Sequence, residues 1–228
     1  MSKFIILNHK MNLEYEEVYP YINELNHLET KNNIIVCPTS IYLEDFINHC
    51  HWGVGAQNVH DKENGNYTGE ISTLQLKSMG IEYSIIGHYE RKKYFHETIN
   101  DVHKKLISCL ESNISPILCF GETGEDKDIL NDLDILLEDI PNIDFIIFAY
   151  EPLKVKESLE VDEIQEQIEM IYHHLKDKYH STPNIIYGGG VEQKDINDLL
   201  SNDFINGLLI GKISANIEKT KKIINKIK

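Results

Sequence analysis

Short apolar runs rich in β-branched residues alternate along this chain with longer segments whose apolar positions return every three or four residues. The runs end near Asn8, Cys37, Gln57, His88, Phe120, Tyr150, Gly188 and Gly211, which predicts eight strands. Helical periodicity covers Leu13 to Glu29, Ile41 to Cys50, Ser72 to Met79 and Ile99 to Glu111. It continues over Asp126 to Glu138, Val161 to Tyr179, Glu192 to Leu200 and Ser214 to Ile227. Near-continuous apolar stretches such as Phe145-Ile146-Ile147-Phe148 suit strands covered on both faces. Eight such units predict an α/β fold, a closed parallel (β/α)8 barrel with an outer layer of helices. A doubly wound open sheet is the alternative that the same alternation permits.

With 228 residues, 41% of them hydrophobic, the chain has material for one sizeable core, and no Pro- or Gly-rich linker divides it. A single domain over residues 1–228 is expected. The 22 basic and 37 acidic residues leave a net charge of -15, which opposes binding to nucleic acid or to an anionic membrane surface. An anionic small molecule would have to be met by local cations and backbone N–H groups. The amino end, MSKFIILNHK, lacks the long apolar region and cleavage site of a signal peptide, and no apolar run spans a bilayer, so a cytoplasmic protein is expected. Cys37, Cys50, Cys109 and Cys119 are scattered without a CxxC pair and are expected to be reduced and mostly buried. No GxGxxG follows the first strand, and neither a P-loop nor an HExxH spacing occurs, so no cofactor or metal is expected. His49 and His51 flank Cys50 without a convincing further ligand, and His173 and His174 are expected to face solvent along a helix.

The polar residues at strand ends carry the candidate chemistry. In AYEPL, Glu151 stands between Tyr150 and Pro152 where an apolar run, Ile143 to Tyr150, opens into a loop. A barrel collects such positions into one mouth, so Glu151 is a candidate general base. Asn8 and Lys10 follow the first strand, His88 ends the fourth, and glycine turns at Gly188-Gly189-Gly190 and at Gly211 follow the seventh and eighth. A carboxylate can take a proton from carbon, a neutral imidazole can polarise the adjacent carbonyl, and a lysine can stabilise the resulting enediolate. The glycines let backbone N–H groups approach an anion. Singly, a strand-end Lys or His is ordinarily a solvated or satisfied side chain. The agreement of several strand ends gives the pattern its weight.

Long motifs then carry a resemblance: NHKMN at 8–12, GAQNVHDKENGNYTGEIS at 55–72, IIGHYERK at 85–92, YFHET at 94–98, PILCFGET at 116–123, AYEP at 149–152 and YGGGV at 187–191. Across its whole length the chain resembles the triosephosphate isomerase family. The resemblance implies Glu151 as base, His88 as neutral electrophile, and Lys10 beside Asn8 as the cation contacting substrate. Glu90 would pair with or orient Lys10, and Arg91 would be a structural ion-pair partner. Gly189, Gly190, Gly211 and Lys212 would lie at the phosphate end of a small phosphorylated sugar. The implied reaction interconverts D-glyceraldehyde 3-phosphate and dihydroxyacetone phosphate. The loop 58–70, with Thr68 near its tip, resembles the segment that reaches into a neighbouring subunit, which implies a homodimer.

The chain also departs from the family pattern. Leu153 to Leu159 contains no glycine where the family carries a Trp and a Gly-Thr-Gly stretch in a closing lid. Gly190 replaces a Ser, Lys212 the second Gly of a pair, His9 a Trp, and Tyr89 the Ser after the histidine, while Gly124 to Ile143 is short. These departures leave two alternatives open: isomerisation of a related sugar phosphate such as a tetrulose phosphate, or a silent barrel with a binding or regulatory role. Retention of Glu151, His88 and Lys10 together favours catalysis.

Overall fold

The structure, a computed structural model, describes residues 2–122, 126–152, 160–190 and 196–227. Strands β1 (Phe4–Asn8), β2 (Asn33–Cys37), β3 (Gly53–Ala56) and β4 (Tyr83–Ile86) are followed by β5 (Ser115–Phe120), β6 (Ile147–Tyr150), β7 (Asn184–Tyr187) and β8 (Gly207–Ile210). Each pairs in parallel with the next, and β8 returns to β1 through Phe4 opposite Gly207, so the sheet is a closed barrel. That closure removes the open-sheet alternative.

Strand alternation divides the apolar residues into two cores. Ile6, Ile35, Ile85, Ile117, Ile147 and Ile186 point into the barrel and fill it. Their neighbours, among them Ile5, Ile34, Leu118, Phe148, Ile185 and Leu208, face outward onto the helices. Burial on both faces is why the strands read as continuous apolar runs.

The helices are α1 (Tyr15–Asn26), α2 (Leu43–His49), α3 (Thr73–Ser78), α4 (Tyr89–Phe95), α5 (Ile99–Glu111), α6 (Asp126–Leu136), α7 (Val161–Tyr179), α8 (Ile196–Ser201) and α9 (Ile217–Ile224). The ranges of α5 and α7 are those the periodicity predicts. Elsewhere local hydrogen bonding trims the pattern. Ser72 caps α3 by accepting the Gln75 N–H and so lies outside it, and Asn216 does the same for α9 through Lys219. Short 3-10 turns, Ser40–Tyr42 and Lys212–Ala215, take the first residues of the segments predicted to start at Ile41 and Ser214. The predicted start of the eighth helix at Glu192 lies outside the described residues.

Two expectations are corrected. The strand predicted from Ile143 begins only at Ile147, because the Asn142 side chain accepts the Asp144 N–H and the Ile146 N–H turns back to the Ile143 carbonyl. Phe145, expected within a buried strand, is 67% exposed. Helix α4 was not expected from periodicity, since it buries none of its side chains. Among the described residues, no helix is long and apolar enough to cross a membrane.

Candidate active site

The carboxyl ends of the strands aim the candidate groups at one mouth. Ile147 and Ala149 of β6 point into the barrel, so the next residue of that parity, Glu151, does too. Its backbone N–H donates to the Phe120 carbonyl at 2.8 Å, extending the ladder to β5. In β4 the inward residue is Ile85, and strict alternation would turn residue 88 outward. Gly87 breaks the alternation with φ +67°, and a Cβ there would strike Val102 Cγ1 at 2.8 Å and the Cys119 carbonyl at 2.9 Å. His88 then becomes the N-cap of α4.

The His88 ring is held from both sides. Its Nδ1 accepts the Glu90 backbone N–H at 3.2 Å, so the proton of the neutral ring sits on Nε2. That Nε2 lies 3.5 Å from Glu151 Oε1. Glu90 Oε2 stands 3.8 Å from Nδ1.

Glu151 is buried, and burial pushes its carboxyl pKa up; His88, the Tyr89 N–H, the Cys119 thiol and Lys10 pull the other way. Its Oε2 has no hydrogen-bond partner among the described residues. A buried carboxylate with an unsatisfied oxygen and a raised pKa fits the candidate role of a general base.

Lys10 adopts φ +54°, unusual for a side-chain-bearing residue, with its N–H donating to Asn8 Oδ1 at 3.1 Å. Its Nζ donates to Glu90 Oε1 at 2.6 Å, the pairing the resemblance implied. Gly211, at the end of β8, leaves room for the lysine stem: a Cβ there would come within 3.3 Å of Lys10 Cε. Asn8, Lys10, His88 and Glu90 share a groove of about 460 Å³ with Met11 and Tyr94. A larger cavity, about 550 Å³, lies under the 58–70 loop beside His60 and Tyr67, away from these acid–base groups.

The remaining predicted residues are placed less tightly. Gly189 accepts the Tyr187 hydroxyl on its carbonyl at 3.2 Å, and Gly190 is exposed with φ +86°. Lys212 is exposed at the start of a 3-10 turn. Thr68 is exposed near the tip of its loop, whose base is closed by a bridge from His60 to Ser72. The departure at Leu153 to Leu159 lies outside the described residues.

Arg91 is an ion-pair partner, with Nε 2.8 Å from Glu97 Oε2, and Lys105 Nζ meets the same oxygen at 2.6 Å. Lys92 pairs with Glu122. His174, expected in solvent, instead pairs with Asp134 Oδ1 at 2.7 Å across to α6. The thiols of Cys37, Cys109 and Cys119 are buried and that of Cys50 half-buried, all free.

Sequence reasoning missed Cys119 beneath Glu151, and Thr39 and Gln57 beside Lys10, although all three stand at or just beyond strand ends. Strand-end position was the available signal. His9 is wholly buried, its ring 4.6 Å from that of Tyr21 and 5.6 Å from that of Phe46, centroid to centroid. Both its ring nitrogens lack partners among the described residues, and burial holds its pKa down at about 3.

A family profile described as triosephosphate isomerase matches residues 3–227. The triosephosphate isomerase of Aquifex aeolicus (strain VF5) is 33% identical, with 98% of this chain and 99% of that protein aligned. That of Wigglesworthia glossinidia brevipalpis is 35% identical over 99% of this chain and 96% of its own length. That of Clostridium botulinum (strain Langeland) is 32% identical, covering 96% of each. A closed eightfold barrel, strand-end acid and imidazole in contact, and relatives matching end to end converge: the chain belongs to the triosephosphate isomerase family and is an isomerase.

Proposed function

We propose that this isomerase interconverts D-glyceraldehyde 3-phosphate and dihydroxyacetone phosphate, with Glu151 moving the proton between the two carbons. The observation that carries the reading is the 3.5 Å approach of His88 Nε2 to the buried Glu151 Oε1. A carbonyl and its neighbouring C–H, set across that pair, would meet a base on one side and an N–H donor on the other. Glu151 takes the proton from carbon, and electron density moves onto the carbonyl oxygen. The Nε2–H of His88 and the Lys10 ammonium stabilise the enediolate; the neighbouring hydroxyl gives its proton, by way of His88, to the former carbonyl oxygen, and Glu151 returns its proton to the former carbonyl carbon. Atoms and charge balance without a cofactor.

The phosphate is assigned to the ends of β7 and β8, with backbone donors near Gly189, Gly190 and Gly211 and the charge of Lys212. We further assign a cytoplasmic homodimer. Met11 is 90% exposed, Phe95 66% and Tyr94 62%, and all three border the groove that holds Lys10 and His88. Apolar exposure of this extent beside a polar site favours burial by another surface, and the 58–70 loop of a second copy, with Thr68 near its tip, is the occupant assigned.

A coupled assay of D-glyceraldehyde 3-phosphate isomerisation tests the reaction, with Glu151→Gln prepared in parallel to report contaminating host enzyme. Turnover lost in the variant supports the reading. Equal residual activity in both proteins overturns it.

A further inference from the structure

We infer that Thr39 and Gln57 are positioning residues that clamp the main-chain carbonyl of Lys10 and hold its ammonium toward the mouth. The inference rests on the proposed role of Lys10 and names what keeps that side chain in place.

Among the described residues, five that are not glycine have positive φ: Lys10, His96, Asn113, Asp139 and His180. The last four follow the C-termini of α4, α5, α6 and α7, where a left-handed residue closes the final turn. Lys10 follows a strand and has no such helix end to support it. A left-handed lysine costs on the order of 1 kcal/mol or more and persists only where surrounding contacts over-determine it.

Those contacts come from two other strand ends. The Thr39 hydroxyl, two residues beyond β2, donates to the Lys10 carbonyl at 2.8 Å. The Gln57 amide, directly beyond β3, donates to the same oxygen at 2.9 Å and to the Cys37 carbonyl at 2.9 Å. Two donors saturate the acceptor capacity of one carbonyl. Asn8 Oδ1 fixes the N–H side of the same residue at 3.1 Å. The peptide planes on both sides of the Lys10 Cα are therefore fixed, and the Cβ direction with them.

Glu90 cannot replace this clamp, since it grips only the far end of a four-carbon stem, at 2.6 Å from Nζ. With the backbone free to return to an ordinary negative φ, the stem would leave Cα in a different direction, and the ammonium would shift by more than an ångström. Misplacement on that scale costs about 100-fold in rate.

The test uses the full chain and a double-mutant cycle. Thr39→Val keeps the side-chain shape and removes the donor; Thr39→Ser restores it. We expect kcat/KM to fall by about 10- to 100-fold in Thr39→Val and to recover to near wild-type in Thr39→Ser. In a Lys10→Ala background, adding Thr39→Val should cost nothing further, because the clamp acts through Lys10. Should Thr39→Val fail to fold, as judged by circular dichroism, Gln57→Met carries the same expectations. Wild-type kinetics in the folded single variant, or a full additional loss in the Lys10→Ala background, would overturn the clamp. An unimpaired Lys10→Ala enzyme would overturn the proposed role of Lys10 itself.

Discussion

Gly188 at the end of β7 packs directly against Glu151 at the end of β6: a Cβ at position 188 would lie 2.9 Å from Glu151 Cγ and 3.1 Å from its Oε1. The carboxylate occupies the space a side chain would fill. Gly188→Ala should displace the proposed base from His88 and lower kcat by about 100-fold without unfolding the barrel. Steady-state kinetics beside a melting curve checks this; unchanged kcat would show that the carboxylate can yield without loss.

Glu151 also sets a pH dependence. Its pKa is raised by burial, so the folded protein holds a proton there at pH values where the unfolded chain has released it. Stability from this group is therefore full below the ordinary value of 4.5 and declines as pH rises through the raised folded value. Glu151→Gln should melt higher than wild type at pH 8, and the gain should vanish below the ordinary glutamate range. The same variant should lose between about 100- and 10,000-fold in kcat, the usual contribution of a general base. A lower melting temperature at pH 8 would contradict the desolvation argument.

His9 has the opposite sign. Its pKa falls from 6.5 to about 3, so between those values the unfolded chain binds the extra proton. Its contribution to stability is full above pH 6.5 and declines by about 1.4 kcal/mol per pH unit on acidification through that window. His9→Phe should remove this slope. It should also add roughly 1–3 kcal/mol at neutral pH by removing two buried nitrogens that have no partners among the described residues. Denaturant melts at pH 5 and pH 8 measure both effects.

Glu97 is the shared partner of Arg91 and Lys105, and its side chain is 4% exposed. Among the described residues, Glu97→Leu would leave the Lys105 ammonium, 10% exposed, with only Asn58 at 2.9 Å. The expected loss is about 3–5 kcal/mol, the cost of stranding one member of a buried pair. Chemical denaturation would detect it, and a loss under 1 kcal/mol would place the charge in water.

The proposed homodimer makes a separate claim on Met11 and Phe95. Sedimentation of the wild-type chain should give twice the 26.4 kDa chain mass, and Phe95→Glu should shift it toward the monomer. A monomeric wild type at micromolar concentration would sink the assignment.

Much of the barrel was legible because strands buried on both faces must be apolar throughout, and α5 and α7 because their inward stripes are long. Helix α4 was not, since a helix with no buried side chain has no stripe to read. The β6 start was misplaced because Phe145 and Ile146 look alike in sequence, while the Asn142 turn that separates them is a hydrogen-bonding event. Glu151, His88 and Lys10 were legible as candidates because strand ends and motif agree, and Glu90 by the resemblance alone; the structure brings the four to one mouth. Thr39 and Gln57 were missed because they act on a carbonyl, and nothing in a sequence marks a main-chain oxygen as the target.

The lack of any buried side chain in α4 means that the barrel and its mouth answer to different solution variables. The barrel is held by apolar burial, which moderate salt leaves intact. The helix that presents His88 and Glu90 is tied down instead by charged contacts such as Lys10–Glu90, whose side chains are 27% and 39% exposed. At physiological ionic strength the screening length is about 8 Å, and at 1 M it is about 3 Å, so the Lys10–Glu90 pair weakens, the more buried Arg91–Glu97 pair much less, and the strands do not notice. Ionic strength is thus a dial on the grip of Glu90 on Lys10 that leaves the scaffold beneath it unchanged.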